Sequence, residues 1–200
     1  MRRSVVIVVA TVVLLISVVA ILLVQSSTPY PRLSAKLLTA SEVPSAWQPE
    51  SFQKAAAGTG CLSTVMSPRD VRQTAEVNAL YINDGSVPPE LGEAIATFRD
   101  TKSAYSKIIT TLEACKYING GNPNPTGIYG SVGKLSLPTF GDSSEAFVAS
   151  VTAQAVPVTI TDDIVVIEKG IYVLEIYEAN VGSVNLQQFE HYISKALSKV

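Results

Sequence analysis

The sequence predicts an α+β fold, an antiparallel sheet packed with two main helices and preceded by one N-terminal transmembrane helix. Residues 5–24 are apolar apart from Thr11 and Ser17. Strand-like runs in the second half of the chain follow one another over connections too short for crossovers, and two segments repeat apolar residues at helical spacing. The predicted divisions are a cytoplasmic tip and anchor over residues 1–24, a flexible tether over residues 25–34 and one extracytoplasmic domain over residues 35–200.

The anchor prediction depends on length and flanking charge. As a helix, residues 5–24 would be about 30 Å long, which matches the hydrocarbon core of a bilayer. Arg2 and Arg3 precede the span, so its N-terminus is expected in the cytoplasm and the domain outside. The alternative is a signal peptide cleaved near Val24 and Ser26, which would make the protein secreted. The anchor is favoured because the apolar region of a signal peptide is usually about 7–15 residues.

The composition of residues 25–200 excludes some classes of partner. This part has 13 basic and 17 acidic residues, a formal charge of −4. A nucleic-acid-binding protein normally presents a basic face, and anionic lipid head groups attract basic segments. We therefore expect an ordinary soluble surface with no nucleic-acid partner and with membrane contact through residues 5–24.

Two cysteines predict one disulfide. Cys61 and Cys115 would stand in an oxidising compartment, where a pair most simply forms a bridge. Closing this loop contributes up to about 4 kcal/mol in the chain-entropy model. A redox or metal-binding pair is disfavoured because Cys-x-x-Cys spacing is absent and His191 is the one histidine.

The first part of the domain contains a helical turn and two strands. Thr39 and Glu42 have the spacing of a capping box. The lone Trp47 is expected to be a core or rim anchor, with ligand stacking as the alternative. Residues 71–81 alternate like a half-buried strand, and a turn at residues 83–86 leads to residues 91–98, for which a strand is preferred over a helix.

The second part is predicted to contain a helix, a meander and a closing helix. Asp100 can cap a helix to about Ala114, and a glycine- and proline-rich loop follows. Further strands are predicted over residues 128–137, 147–155, 164–168 and 171–177, with a turn at Asp162–Asp163. Asn185 can cap the closing helix.

No supported catalytic or metal-binding set emerges from the motifs. Residues 141–144 resemble the nucleophile block of GDS-type lipases and esterases, which would make Ser143 a nucleophile, but position 188 is glutamine where that family has the acid that orients its histidine. Asp142, Asp162 and Asp163 lack the alternating oxygen ligands of a calcium loop. We therefore predict no enzyme activity, no metal site and no cofactor.

Several weak motifs, taken in order, point to a known family. They are residues 37–44 with Trp47, Phe98 before a capped helix that ends at Cys115, Leu135, Pro138, Gly141–Asp142, the hairpin at residues 165–170 and the closing helix. In this order they resemble the extracellular sensor domain of PknH-type actinobacterial serine/threonine kinases and related stand-alone exported proteins. The resemblance implies an antiparallel sheet curved around helices, with a cleft for a ligand and no catalytic residues. Those domains carry two disulfides, whereas this chain can form one.

Two functions follow as hypotheses. The first is a membrane-anchored extracytoplasmic ligand-binding or sensor-like module for an envelope small molecule, lipid or glycan, with Trp47, Tyr81 and Tyr129 as candidate cleft residues. The second is a structural or interaction protein that docks on another cell-envelope protein. A concave pocket would favour the first, and an exposed apolar patch would favour the second.

Overall fold

Eight strands form one antiparallel sheet in the computed structural model, which describes residues 31–50, 66, 71–83, 86–118, 128–153 and 156–200. The helices are α1 (Pro31–Ser34), α2 (Thr101–Ala114) and α3 (Leu186–Leu197). The strands are β1 (Trp47–Glu50), β2 (Gln73–Asn83), β3 (Ser86–Phe98), β4 (Tyr117–Ile118), β5 (Ile128–Leu135), β6 (Ser143–Ala153), β7 (Val156–Lys169) and β8 (Tyr172–Val181).

The sheet consists of two meanders that meet in its middle. The strand order is β1-β2-β3-β8-β7-β6-β5-β4, so each strand except β3 and β8 has only chain neighbours beside it. After β3 the chain forms α2, crosses to the far edge at β4 and returns strand by strand until β8 pairs antiparallel with β3. The centre of the sheet is therefore made of β3, β8 and β7.

Each face of the sheet is covered by one main helix. Ala104, Ile108 and Leu112 of α2 pack on one face, called here the α2 face. Phe189 and Ile193 of α3 pack on the other, the α3 face, together with apolar residues of the segment before β1. Because both faces are covered, the central strands are buried on both sides.

Both main helices begin where the sequence predicts. The Asp100 side chain accepts a hydrogen bond from Ser103 N at 3.0 Å, and the Asn185 side chain accepts one from Gln188 N at 3.2 Å. Each cap satisfies one of the N–H groups that a helix leaves free at its start. The predicted antiparallel α+β fold with two main helices is confirmed.

The structure also settles the strand-or-helix question at residues 91–98, which belong to β3. The predicted turn at Asp162–Asp163 is wrong, because both residues lie inside β7. The Thr39–Glu42 pair forms a turn in which Thr39 N donates to Glu42 Oε2 at 2.8 Å. The predicted span at residues 5–24 and the loop at residues 119–127 lie outside the described residues, and among the described helices none is long and apolar enough to cross a membrane.

Candidate functional site

Apart from the aromatic side chains, every polar or charged side chain that is fully buried in the described part of the chain is a carboxylic acid. There are six of these residues, two on each of the three central strands: Glu90 and Glu93 on β3, Glu175 and Glu178 on β8, and Asp162 and Asp163 on β7. Their exposures are 1–3%. We call them the buried carboxyl cluster.

Side-chain alternation divides the buried carboxyl cluster between the two faces. Successive residues of a strand point to opposite faces, so residues one or three apart separate. Glu90, Glu175 and Asp162 share the α2 face with Tyr177. The other three acids of the cluster, at positions 93, 178 and 163, share the α3 face.

On the α2 face, the carboxyl groups gather around one tyrosine. Glu90 and Asp162 are the β3 and β7 partners of Ala179, so a small side chain separates them. The Tyr177 hydroxyl is hydrogen-bonded to Glu90. Its ring lies over Gly92, where a β-carbon would overlap the ring and stand 2.8 Å from Cδ1. Glycine at position 92 therefore allows the tyrosine to lie across β3 and reach the carboxyl group.

On the α3 face, two acids stand directly opposite each other. Asp163 of β7 and Glu178 of β8 are register partners, an arrangement that is destabilising when both are charged. Glu93 is better supported, since its Oε2 accepts a hydrogen bond from Leu38 N at 2.6 Å. Each face thus holds one acid with a hydrogen-bond partner, Glu90 with Tyr177 and Glu93 with Leu38 N.

Burial shifts the titration of all six groups in the same direction. Loss of hydration raises the pKa of Asp162 to about 8 and of Asp163 to about 6, with the charge of Asp163 adding to the shift at Asp162. It raises the pKa of Glu93 and of Glu178 to about 7. For the remaining two, at positions 90 and 175, burial and then the charge of Asp162 place the pKa well above the usual value.

The cluster does not have the form of a metal centre. Among the described residues, no group of three or more histidine, cysteine or acidic side chains could hold a metal ion. One oxygen of each of Glu90, Glu93, Asp162, Glu175 and Glu178 is buried without a hydrogen-bond partner.

A groove of about 520 Å³ lies between α2 and the end of the sheet where β6 begins and β7 ends. Its lining is mostly polar: six hydroxyl side chains, four carboxylates, one lysine and one isoleucine. These residues are Tyr105, Ser106, Thr110, Thr139, Ser143, Ser144, Glu113, Asp142, Glu145, Glu168, Lys102 and Ile109.

Ion pairs organise one wall of the groove. Lys134 Nζ lies 2.8 Å from Glu113 Oε1 of α2 and 2.6 Å from Glu145 Oε2 of β6, so it ties the helix to the sheet at this position. Tyr105 is half-buried, and loss of hydration with the nearby carboxylates Glu145 and Glu168 raises the pKa of its hydroxyl to about 12. The tyrosine is therefore a neutral hydroxyl beside negative charge.

The structure places the three predicted cleft residues apart from this groove. Trp47 and Tyr81 are 8% and 5% exposed in the core of the α3 face, and the Tyr81 hydroxyl donates to Leu38 O at 2.7 Å. Tyr129 is half-buried on β5, at the opposite side of the sheet from Tyr81. None of the three lines the groove, and their role in ligand binding stays a prediction.

The remaining motifs are placed as follows. Ser143 lies on β6 and lines the groove beside α2, whereas His191 is exposed on α3, which covers the other face, so the sheet stands between them. Cys115 is 3% exposed at the end of α2 and is not a free thiol. Cys61 lies outside the described residues, and its pairing with Cys115 stays a prediction.

The comparisons with known proteins support the fold. No protein-family model matches the sequence, and no curated protein matches it. A solved structure does match, the crystal structure of the extracellular domain of PknH from Mycobacterium tuberculosis, with a TM-score of 0.61 and 13% identity. The fold is similar to that of the PknH extracellular domain. The match covers 86% of this chain and 96% of the PknH chain, and at this identity it shows the fold alone.

Neither the buried carboxyl cluster nor the groove is among the features predicted from the sequence. A signal for the cluster is present on one face: Ile160 and Ile164 lie on either side of Asp162 at alternate positions, without a change of phase. A turn would normally break that phase. For the groove there was no comparable signal, because its residues come from three separate parts of the chain.

Proposed function

We propose that this chain is a membrane-anchored, extracytoplasmic sensor-like module that binds a neutral, hydroxyl-rich ligand such as an envelope glycan in the groove beside α2. The observation that carries the proposal is the polar lining of that groove, in which six hydroxyl side chains lie beside four carboxylates and one lysine. The apolar span predicted at residues 5–24 and the fold likeness to an extracellular domain support the location.

The size and charge of the groove favour a sugar over a lipid. A volume of about 520 Å³ is in the range of small-molecule sites, about 300–1,000 Å³. Four carboxylates against Lys102 disfavour an anionic head group, and Ile109 is the one aliphatic lining residue, too little apolar surface for an acyl chain. Six hydroxyl side chains and the half-buried Tyr105 ring offer the hydrogen bonds and the flat contact that a sugar ring uses.

The proposal is tested by titrating the full chain, held in nanodiscs, with neutral oligosaccharides released from a cell envelope. We expect saturable binding that Tyr105→Ala weakens about tenfold, equivalent to roughly 1.4 kcal/mol. Tyr117→Ala is the matched control, since Tyr117 is 62% exposed on β4 and does not line the groove. Equal loss in both variants, or no binding to any oligosaccharide, would contradict the proposal.

The location is tested separately. A protease added to intact cells should digest a tag at the C-terminus if the domain is outside. Retention of residues 1–24 in the mature protein, measured by mass spectrometry, distinguishes an anchor from a cleaved signal peptide. A tag that is protected until the cells are lysed would contradict the extracytoplasmic location.

The alternative of docking on another envelope protein is not favoured by a specific observation. The large apolar side chains exposed in the described residues are Tyr117, Ile171, Val181 and Leu186. They lie on β4, in the turn between β7 and β8, at the end of β8 and at the start of α3. An interaction patch would require them to be contiguous.

A further inference from the structure

We propose that the buried carboxyl cluster is a proton-binding site, and that proton release from it loosens the centre of the sheet as the surroundings become less acidic. This inference concerns β3, β8 and β7 and does not depend on the groove being a ligand site. It would make the domain responsive to the pH of its compartment.

The geometry demands that something neutralise these groups. Ionised carboxylates transferred from water to an apolar interior without partners are so costly that the group takes up a proton instead. Five of the six carry a buried oxygen with no hydrogen-bond partner, and Asp163 faces Glu178 directly across the β7–β8 ladder. A sheet closed over six charges of one sign would be strongly destabilised.

The described elements that pack against the α2-face groups supply no cation that lowers their pKa. From β2 comes Glu76, a further half-buried acid whose pKa burial raises to about 7 and which accepts a hydrogen bond from Gln73. From β8 comes Tyr177, a neutral phenol. The side chains that α2 buries are all apolar.

The α3-face groups have one basic neighbour. Lys199 lowers the pKa of Glu93, but Lys199 Nζ lies 2.7 Å from Glu42 Oε2 and is shared with it. Tyr192 of α3 faces Glu178 and is a neutral phenol hydrogen-bonded to Gln188. Tyr81 of β2 faces Glu93 and is likewise a neutral phenol, since its pKa is raised by burial and by the charge of Glu93. A metal ion is excluded for the described residues because no set of three ligands converges. A proton remains, since it needs neither space nor converging ligands.

The direction of the pH effect follows from the raised pKa values. A carboxyl group whose pKa is higher in the folded than in the unfolded chain holds its proton more tightly when folded. Its stabilising effect is fully present below the unfolded pKa of about 4 and is lost as the pH rises through the folded value. Stability should therefore fall between about pH 4 and about pH 8. The folded pKa values that set the upper part of this range are about 6 at position 163, about 7 at positions 93 and 178, and about 8 at position 162.

The test is urea unfolding of the full chain in detergent micelles at pH 5 and pH 7, followed by the fluorescence of Trp47, the one tryptophan of the chain. A single group with a folded pKa of about 7 should increase the unfolding equilibrium constant roughly 40-fold over this interval. The contributions of independent groups multiply, so for the natural chain, in which Asp162 also titrates, we expect a rise well above 80-fold. Asp162→Asn should reduce the rise by roughly 80-fold because its folded pKa is about 8.

Two further variants make the result decisive. Glu178→Gln tests the α3 face by itself and substitutes for Asp162→Asn should that variant fail to fold. Glu190→Gln is the matched control, a partly exposed acid on α3 outside the cluster, and should keep the pH dependence of the natural chain. The proposal is overturned if the unfolding constant is flat or falls from pH 5 to pH 7. It is also overturned if Asp162→Asn and Glu178→Gln both keep the slope of Glu190→Gln.

Discussion

Gly92→Ala tests whether the arrangement of Tyr177 over β3 determines the stability of the sheet. Gly92 pairs with Tyr177 across the β3–β8 ladder, and a methyl group at position 92 would overlap the tyrosine ring. Tyr177 is 1% exposed, so the ring cannot swing into solvent. It would have to press into neighbouring core residues and withdraw its hydroxyl from Glu90.

The expected cost is the sum of three effects. Overpacking a close-packed core costs about 1–3 kcal/mol, and loss of the hydrogen bond to Glu90 adds about 1 kcal/mol. Replacing a strand glycine by alanine returns about 0.5–1 kcal/mol through the unfolded chain. We therefore expect Gly92→Ala to lower the free energy of unfolding by about 2 kcal/mol.

Gly133→Ala is the matched control. Gly133 lies on β5, and a β-carbon there would come no closer than 4.0 Å to Val148 Cγ1, so the variant should be neutral or slightly stabilising. Urea unfolding followed by Trp47 fluorescence measures both variants at one pH. In a Tyr177→Ala background, Gly92→Ala should cost nothing further, because the group it displaces is gone. A similar free energy of unfolding for Gly92→Ala and Gly133→Ala, or a cost that persists without the tyrosine ring, would refute the reasoning.

Three further outcomes follow from the described contacts. Glu42→Gln should lower the free energy of unfolding by about 1–2 kcal/mol at neutral pH, because Lys199 lowers the pKa of Glu42 to about 2. In urea unfolding, the difference from the natural chain should vanish as the pH falls from about 4.5 toward 2. A difference that persists at pH 2 would contradict the ion-pair explanation. Gly141→Ala should lower the thermal unfolding temperature more than Gly170→Ala does. Both glycines have positive φ (63° and 58°), but only position 141 places a β-carbon 2.5 Å from a backbone carbonyl oxygen. Equal losses of stability would show that backbone strain alone matters. Cys115→Ser should remove the predicted disulfide and lower the free energy of unfolding by about 2–4 kcal/mol. A reductant should destabilise the natural chain but have no further effect on this variant. Destabilisation of the variant by the reductant would argue against the Cys61–Cys115 bridge.

The fold was predictable because its main signals are local. Asp100 and Asn185 predict the two main helices because their side chains cap the first turn of the helix that follows each of them. The short connections after β5 permit only antiparallel neighbours. The pairing of β3 with β8 has no local signal. It joins residues that are about 80 positions apart in the chain, and it depends on the whole second meander returning to the first.

The misplaced turn at Asp162–Asp163 shows where sequence reasoning fails. Two adjacent acids predict a turn because charged side chains in strands normally face water, whereas around Asp162 and Asp163 both faces of β7 are covered. In a strand covered on both sides, an apolar run is expected, and an acid that interrupts it looks like the end of the strand. The physical resolution is that a carboxylic acid that keeps its proton is neutral and is far less costly to bury than a carboxylate.

For the same reason, the carboxyl cluster makes stability depend on pH more strongly than a buried ion pair would. An acid paired with a base can stabilise one arrangement over a wide pH range, whereas an acid neutralised by a proton is stable only while that proton is held. Glu42, which is paired with Lys199, and Asp162, for which the structure shows no basic partner among the described residues, shift their pKa values in opposite directions, to about 2 and to about 8. Acidification should therefore weaken the contact between Glu42, in the segment before β1, and Lys199, two residues after α3, only below about pH 4.5. A rise in pH toward neutrality should instead weaken the centre of the sheet. Measuring backbone hydrogen exchange at pH 5 and pH 8, corrected for the intrinsic rate, separates these effects. Protection should fall at pH 8 first in β3, β8 and β7, and a fall that begins instead at the edge strands β4 and β5 would contradict the assignment of the response to the buried acids.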